Sequence, residues 1–132
     1  MTHADLIAAA TAARERAYAP YSNFAVGAAL LSRSGRVYTG CNIENAAFGP
    51  SICAERTAMF KAISEGEREF EAIAVVTQNG ASPCGTCRQV MVEFAPQMTV
   101  IIADTQGNVR TTTVDDLLPD GFSPSQLPAV GL

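Results

Sequence analysis

Hydrophobic positions recur at helical intervals over residues 4–18 (Leu6, Ile7, Ala10, Ala13 and Ala17), so a helix is predicted there, ended by Pro20. The pattern then changes to strands. FAVGAALLS and RVYTGCNI read as two strands joined by the short turn RSGR, a hairpin. The loop ENAAFGPS leads into a helix at about 53–65, with Gly66 as its stop. FEAIAVVTQ has the continuous apolar character of a buried strand, and a second amphipathic helix covers roughly 84–94. TVIIAD and VRTTTV are strands separated only by TQGN, and a short helix is expected near 114–118.

Strands that alternate with helices imply a layered α/β domain with helices covering a mixed sheet. The last two strands are expected to be antiparallel. The few residues between them cannot form a parallel crossover, which needs a dozen or more. Neither an internal repeat nor a linker interrupts the chain. It therefore reads as a single domain over 1–132, with a Pro-, Gly- and Ser-rich tail from Pro119 that is extended or mobile.

Composition narrows the function. The chain has 132 residues, 48% of them hydrophobic and 17% charged, enough for a real core. Its net charge of −4 and lack of a Lys/Arg block argue against gripping a nucleic-acid polymer, though not against binding one nucleoside. No basic region followed by an apolar run opens the sequence, and no apolar stretch is long enough to cross a bilayer. Four cysteines without such a signal suggest a reducing compartment, where thiols serve metals or catalysis more often than disulfides. A cytoplasmic protein with no membrane partner is the expectation.

The chemistry concentrates in SICAERTAMF (51–60) and SPCGTCRQVM (82–91). Cys84 and Cys87 share a helix face, and Ser82 and Pro83 suit the N-cap and first helical positions. Both thiols then sit at the positive end of the helix, which favours thiolates. Cys53, in the first turn of the preceding helix, can supply a third ligand. Three sulfurs leave one position of a tetrahedral zinc open, as a catalytic site requires. Glu55 can reach that position and move protons there. Zinc with three thiolates is formally negative, and Arg56 and Arg88 are candidates to compensate it, alongside the helix dipoles.

With CAE followed by PCGTCRQ, the chain resembles the zinc-dependent cytidine deaminases in their small three-cysteine form. The likeness spans about residues 5–127 and includes AYAPYSNFAVGAALL, GCNIENAAF, DDLLP and GFS. It implies a three-layer α/β/α sandwich with a mixed five-stranded sheet, one Zn2+ per chain and a homotetramer with shared active sites. It also implies zinc ligation by Cys53, Cys84 and Cys87, with proton shuttling by Glu55. Nucleoside recognition falls on Phe24, Asn42 and Glu44, and backbone around Ala54, Ser82 and Cys84 holds the pyrimidine edge. Asn42 and Glu44, alternating on a strand end, should point the same way. Phe48 and Phe122 resemble the aromatics that close the pocket from neighbouring subunits, although many family members have tyrosine where Phe48 stands.

The resemblance implies hydrolytic deamination of cytidine and deoxycytidine to uridine and deoxyuridine, with release of ammonia, in pyrimidine salvage. Another aminopyrimidine nucleoside, such as blasticidin S, is the alternative substrate. A non-catalytic binding protein with structural zinc, and Cys41 as fourth ligand, is the alternative from a different class. It leaves Glu55 without a role.

Overall fold

The computed structural model describes residues 1–128. Five strands form one mixed sheet: β1 (Gly27–Ser32), β2 (Val37–Cys41), β3 (Phe70–Thr77), β4 (Thr99–Asp104) and β5 (Val109–Thr113). Their spatial order is β2-β1-β3-β4-β5. Only β3 and β4 run parallel; β4 and β5 are antiparallel, as their short connection requires.

The helices are α1 (His3–Arg14), α2 (Ala54–Ser64), α3 (Gly85–Phe94) and the short α4 (Val114–Leu117). The period-2 alternation of β3 explains how they divide between the two faces. Ala72, Ala74 and Val76 pack with Leu6 and Ala10 of α1 on one face. Ile73 and Val75 turn the other way, into a core that holds Ala58 and Met59 of α2 and Met91 of α3. The result is the three-layer α/β/α sandwich. β5 is an exposed edge rich in threonine, whereas β1 is almost wholly buried. Among the described residues, no helix is long and apolar enough to cross a membrane.

Two element boundaries move, for identifiable reasons. α1 stops at Arg14 rather than near residue 18, because tertiary contacts claim the following chain. Arg14 Nε donates to the Ala25 carbonyl at 3.0 Å, and Tyr18 N–H donates to the Asn42 carbonyl at 2.9 Å. Likewise β1 begins at Gly27 and not at Phe24. The Asn42 side chain bonds the Phe24 carbonyl and the Val26 N–H, and only the Val26 carbonyl keeps a backbone partner, Asn42 N–H at 3.3 Å. Past the sheet, Pro124–Gln126 form a 3-10 turn, and the rest of the expected tail, 129–132, lies outside the described residues.

Candidate active site

α2 and α3 each begin on a cysteine. Cys53 is the N-cap of α2 (φ −76°, ψ 155°) and Cys84 that of α3 (φ −68°, ψ 168°), and neither side chain bonds a helix N–H. This corrects two expectations. Cys53 precedes the first turn, and Ser82 and Pro83 form a loop ahead of α3. Arg88 holds that loop, donating from Nε to the Pro83 carbonyl and from Nη2 to Ser82 Oγ, both at 2.8 Å. With the Ser82 hydroxyl taken in this way, the cap position falls to Cys84. Arg88 also donates from Nη1 to the Leu117 carbonyl at 2.7 Å, so its hydrogen bonds go to backbone and hydroxyl oxygens.

The three sulfurs converge. Cys53 and Cys84 Sγ lie 3.7 Å apart, Cys84 and Cys87 Sγ 3.5 Å, and all three fall within 4.8 Å of one another. Two sulfurs bound tetrahedrally at about 2.3 Å from one zinc stand roughly 3.8 Å apart, so this cluster could hold such an ion with little adjustment. Cys41 stays outside the cluster, with its Sγ 3.4 Å from the Arg16 carbonyl.

The electrostatics favour a bound cation. A hydrogen bond from Cys87, helped by Arg56 and Cys84, pulls the Cys53 thiol down to about 5 against the effect of burial. The same bond, with burial, pushes the Cys87 thiol up. Arg56 donates from Nη2 to Cys53 Sγ at 3.4 Å, and its Nε is buried without a partner. Glu55 is only 4% exposed. Burial pushes its carboxyl up to about 7, with the Cys53 charge adding to the effect and Arg56 opposing it.

These groups open on a cavity of about 320 Å³. Glu55, Cys53, Cys84 and Arg56 form one side of it, and Phe24, Asn42 and Glu44 another. Asn42 and Glu44 lie just past the end of β2, not on it. Their side chains brace the facing segment. Asn42 Oδ1 accepts from Val26 N–H at 2.9 Å and Nδ2 donates to the Phe24 carbonyl at 2.8 Å. Glu44 accepts from the Ser22 hydroxyl, from Ser22 N–H at 3.1 Å and from Tyr21 N–H at 3.0 Å. The Ser22 hydroxyl does most to hold the Glu44 carboxyl below its usual range.

Three expected contacts lie away from the cavity walls of this single chain. Ala54 is fully buried at the start of α2. Phe48 is 74% exposed, with φ 59° and its ring edge-on to Tyr21 at 6.5 Å. Phe122 is 56% exposed, and its carbonyl accepts from Gln89 Nε2 at 2.7 Å. The walls also include Ser22, Val75 and Thr77, which the sequence reading missed. Thr77 ends β3 beside the parallel pair, and carboxyl ends of parallel strands are where α/β sheets place ligands. Nothing in the sequence singles out Ser22.

Residues 1–103 match the family model described as the cytidine and deoxycytidylate deaminase zinc-binding region. A cytidine deaminase of Sporosarcina psychrophila is 54% identical over 125 residues, covering 92% of each chain. The crystal structure of cytidine deaminase from Burkholderia pseudomallei superposes with a TM-score of 0.90 at 57% identity, covering 92% of this chain and all of that one. A blasticidin-S deaminase of Bacillus cereus is more distant, 31% identical over 104 residues, covering 71% of this chain and 74% of that protein. The protein belongs to the cytidine and deoxycytidylate deaminase family, whose members are zinc-dependent hydrolases.

Proposed function

We propose that the protein hydrolyses cytidine and deoxycytidine to uridine and deoxyuridine, releasing ammonia, in cytoplasmic pyrimidine salvage. The clustering of three thiols, with Cys53, Cys84 and the buried Glu55 lining a nucleoside-sized cavity, carries this reading. Cys53, Cys84 and Cys87 would hold the zinc. When bound, it supplies a Lewis acid at which water becomes nucleophilic near neutral pH.

The chain's own groups do the rest. Glu55, held at the cavity wall by α2, takes a proton from the attacking water and gives it to ring nitrogen 3. It then carries the second proton to the departing amine, so the two hydrogens of water leave on the uracil ring and on ammonia. Phe24 supplies an apolar wall, while Asn42 and Glu44 face the sugar with their remaining donor and acceptor capacity. Backbone at Ser82 and Cys84, both on the cavity wall, borders the pyrimidine edge. Arg56 offsets the thiolate charge through its bond to Cys53. Arg88 adds positive charge nearby and fixes the loop before Cys84.

Residues 1–132 act as one domain, and four copies share their sites. The exposure of Phe48 and Phe122 in the single chain supports this assembly. Ammonia release measured across cytidine, deoxycytidine and blasticidin S tests the reading, together with zinc analysis of the purified protein. Turnover of the two cytosine nucleosides with one zinc per chain is expected. Turnover of blasticidin S alone, or active protein without zinc, would overturn it.

A further inference from the structure

Gly40 and Thr57 meet between β2 and α2, behind the cavity walls. A β-carbon on Gly40 would stand 2.5 Å from the Ala54 carbonyl oxygen, 2.6 Å from Ala58 N and 2.9 Å from Thr57 Cβ. No real side chain occupies such space, so only glycine lets the start of α2 lie this close to the strand.

Thr57 uses that closeness. Its Oγ1 lies 3.1 Å from the Cys41 carbonyl oxygen and 3.2 Å from that of Cys53. A hydroxyl reaching back one turn to residue i−4 is common in helices. The bond to Cys41 is different in kind, because it joins α2 to a strand residue 16 positions earlier. One side chain therefore spans the residue that presents the first thiol and the residue that precedes Asn42. From there Asn42 extends the chain of bonds to Phe24 and Val26.

We propose that Thr57, seated by Gly40, is a positioning residue that fixes the metal half of the site against its nucleoside half. Thr57 touches neither ion nor substrate; it acts through the backbone of Cys53 and Cys41. The inference rests on the reading of Cys53 as a zinc ligand and Asn42 as a nucleoside contact.

The test compares Thr57→Val, which keeps shape and loses the hydroxyl, with Thr57→Ser, which keeps the hydroxyl. Readouts are the rate of zinc transfer to a chelator, the thiolate charge-transfer absorption after cobalt(II) substitution, and KM for cytidine. Thr57→Val should lose zinc about 10-fold faster, shift the cobalt spectrum and raise KM, and Thr57→Ser should restore all three. If Thr57→Val does not fold, Thr57→Ala serves in its place. Leu6→Ala is the control, since Leu6 is buried against Ala72, Ala74 and Val76 on the opposite face of the sheet. It should lower Tm and leave zinc transfer unchanged.

Zinc transfer and KM that stay at wild-type values in Thr57→Val would overturn the proposal. So would a Leu6→Ala variant that loses zinc as fast, because loosening would then follow stability alone. A wild-type protein without the cobalt–thiolate band would overturn the three-thiol reading, and this inference with it. A wild-type band beside an unaffected Thr57→Val would remove only the inference.

Discussion

Arg56 Nη2 lies 3.4 Å from Cys53 Sγ, and the Nε of the same guanidinium is buried with no partner. A cation held in this way is specialised for the sulfur it touches, since a solvated surface arginine would satisfy all its N–H groups with water. Arg56→Gln should keep zinc but lower activity by roughly tenfold. Removing a positive charge makes the site bind protons more tightly, so the acidic limb of the pH–rate profile should move upward. Metal analysis and the profile of kcat/KM check this; an unmoved limb would reduce Arg56 to a surface charge.

Glu55 is the sharper test of the chemistry. Glu55→Gln preserves shape and hydrogen-bonding capacity but removes the proton carrier. Activity should fall by at least about 100-fold while zinc content and fold persist. Near-normal turnover would place proton transfer on another group.

The pairing of Ser22 with Glu44 predicts a pH dependence of stability. The Glu44 carboxyl is held below its ordinary range in the folded protein, with the Ser22 hydroxyl as the largest cause. A depressed carboxylate contributes stability above its unfolded pKa and loses it as pH falls through the folded value. Ser22→Ala should therefore lower Tm near neutral pH, and the gap from wild type should narrow in acid. Thermal melts across that range are the measurement; a gap of constant size would mean that the hydroxyl acts through packing.

Assembly can be tested separately from catalysis. Phe122→Ala should raise KM for cytidine with zinc content unchanged, because the aromatic is exposed in one chain and is proposed to close a neighbour's cavity. Light scattering should find a homotetramer in the wild type. A fully active monomer would remove the shared-site model and leave the zinc chemistry standing.

Much of this architecture was legible before any coordinates. The continuous apolar run of Ala72 to Val76 and the short turn before Val109 suffice for a covered mixed sheet with an antiparallel last pair. The boundaries that moved did so through long-range bonds that local pattern does not encode. Asn42 draws Phe24 and Val26 out of β1 by side-chain hydrogen bonds across 18 and 16 positions. Ser82 reads as a helix cap until Arg88 claims its hydroxyl. Cys84 and Cys87 were legible because their spacing is local, and Cys53, 31 positions before Cys84, because CAE and PCGTCRQ together carry the family resemblance. Ser22 was not, because its role depends on Glu44, 22 residues later.

The helix starts carry one more consequence. α1 and α4 begin on Thr2 and Thr113, whose hydroxyls accept from helix N–H groups. α2 and α3 begin on thiols that make no such bond, and each forgoes about 1 kcal/mol that an oxygen at that position would provide. An ion held as proposed by Cys53, Cys84 and Cys87 would also anchor these two starts, since a ligand bound only by the folded form stabilises it. Stripped copies would be looser where Glu55 sits, and local opening is what proteases exploit. Metal-free molecules would then be the first that a protease cuts, and digestion would leave a population enriched in working enzyme.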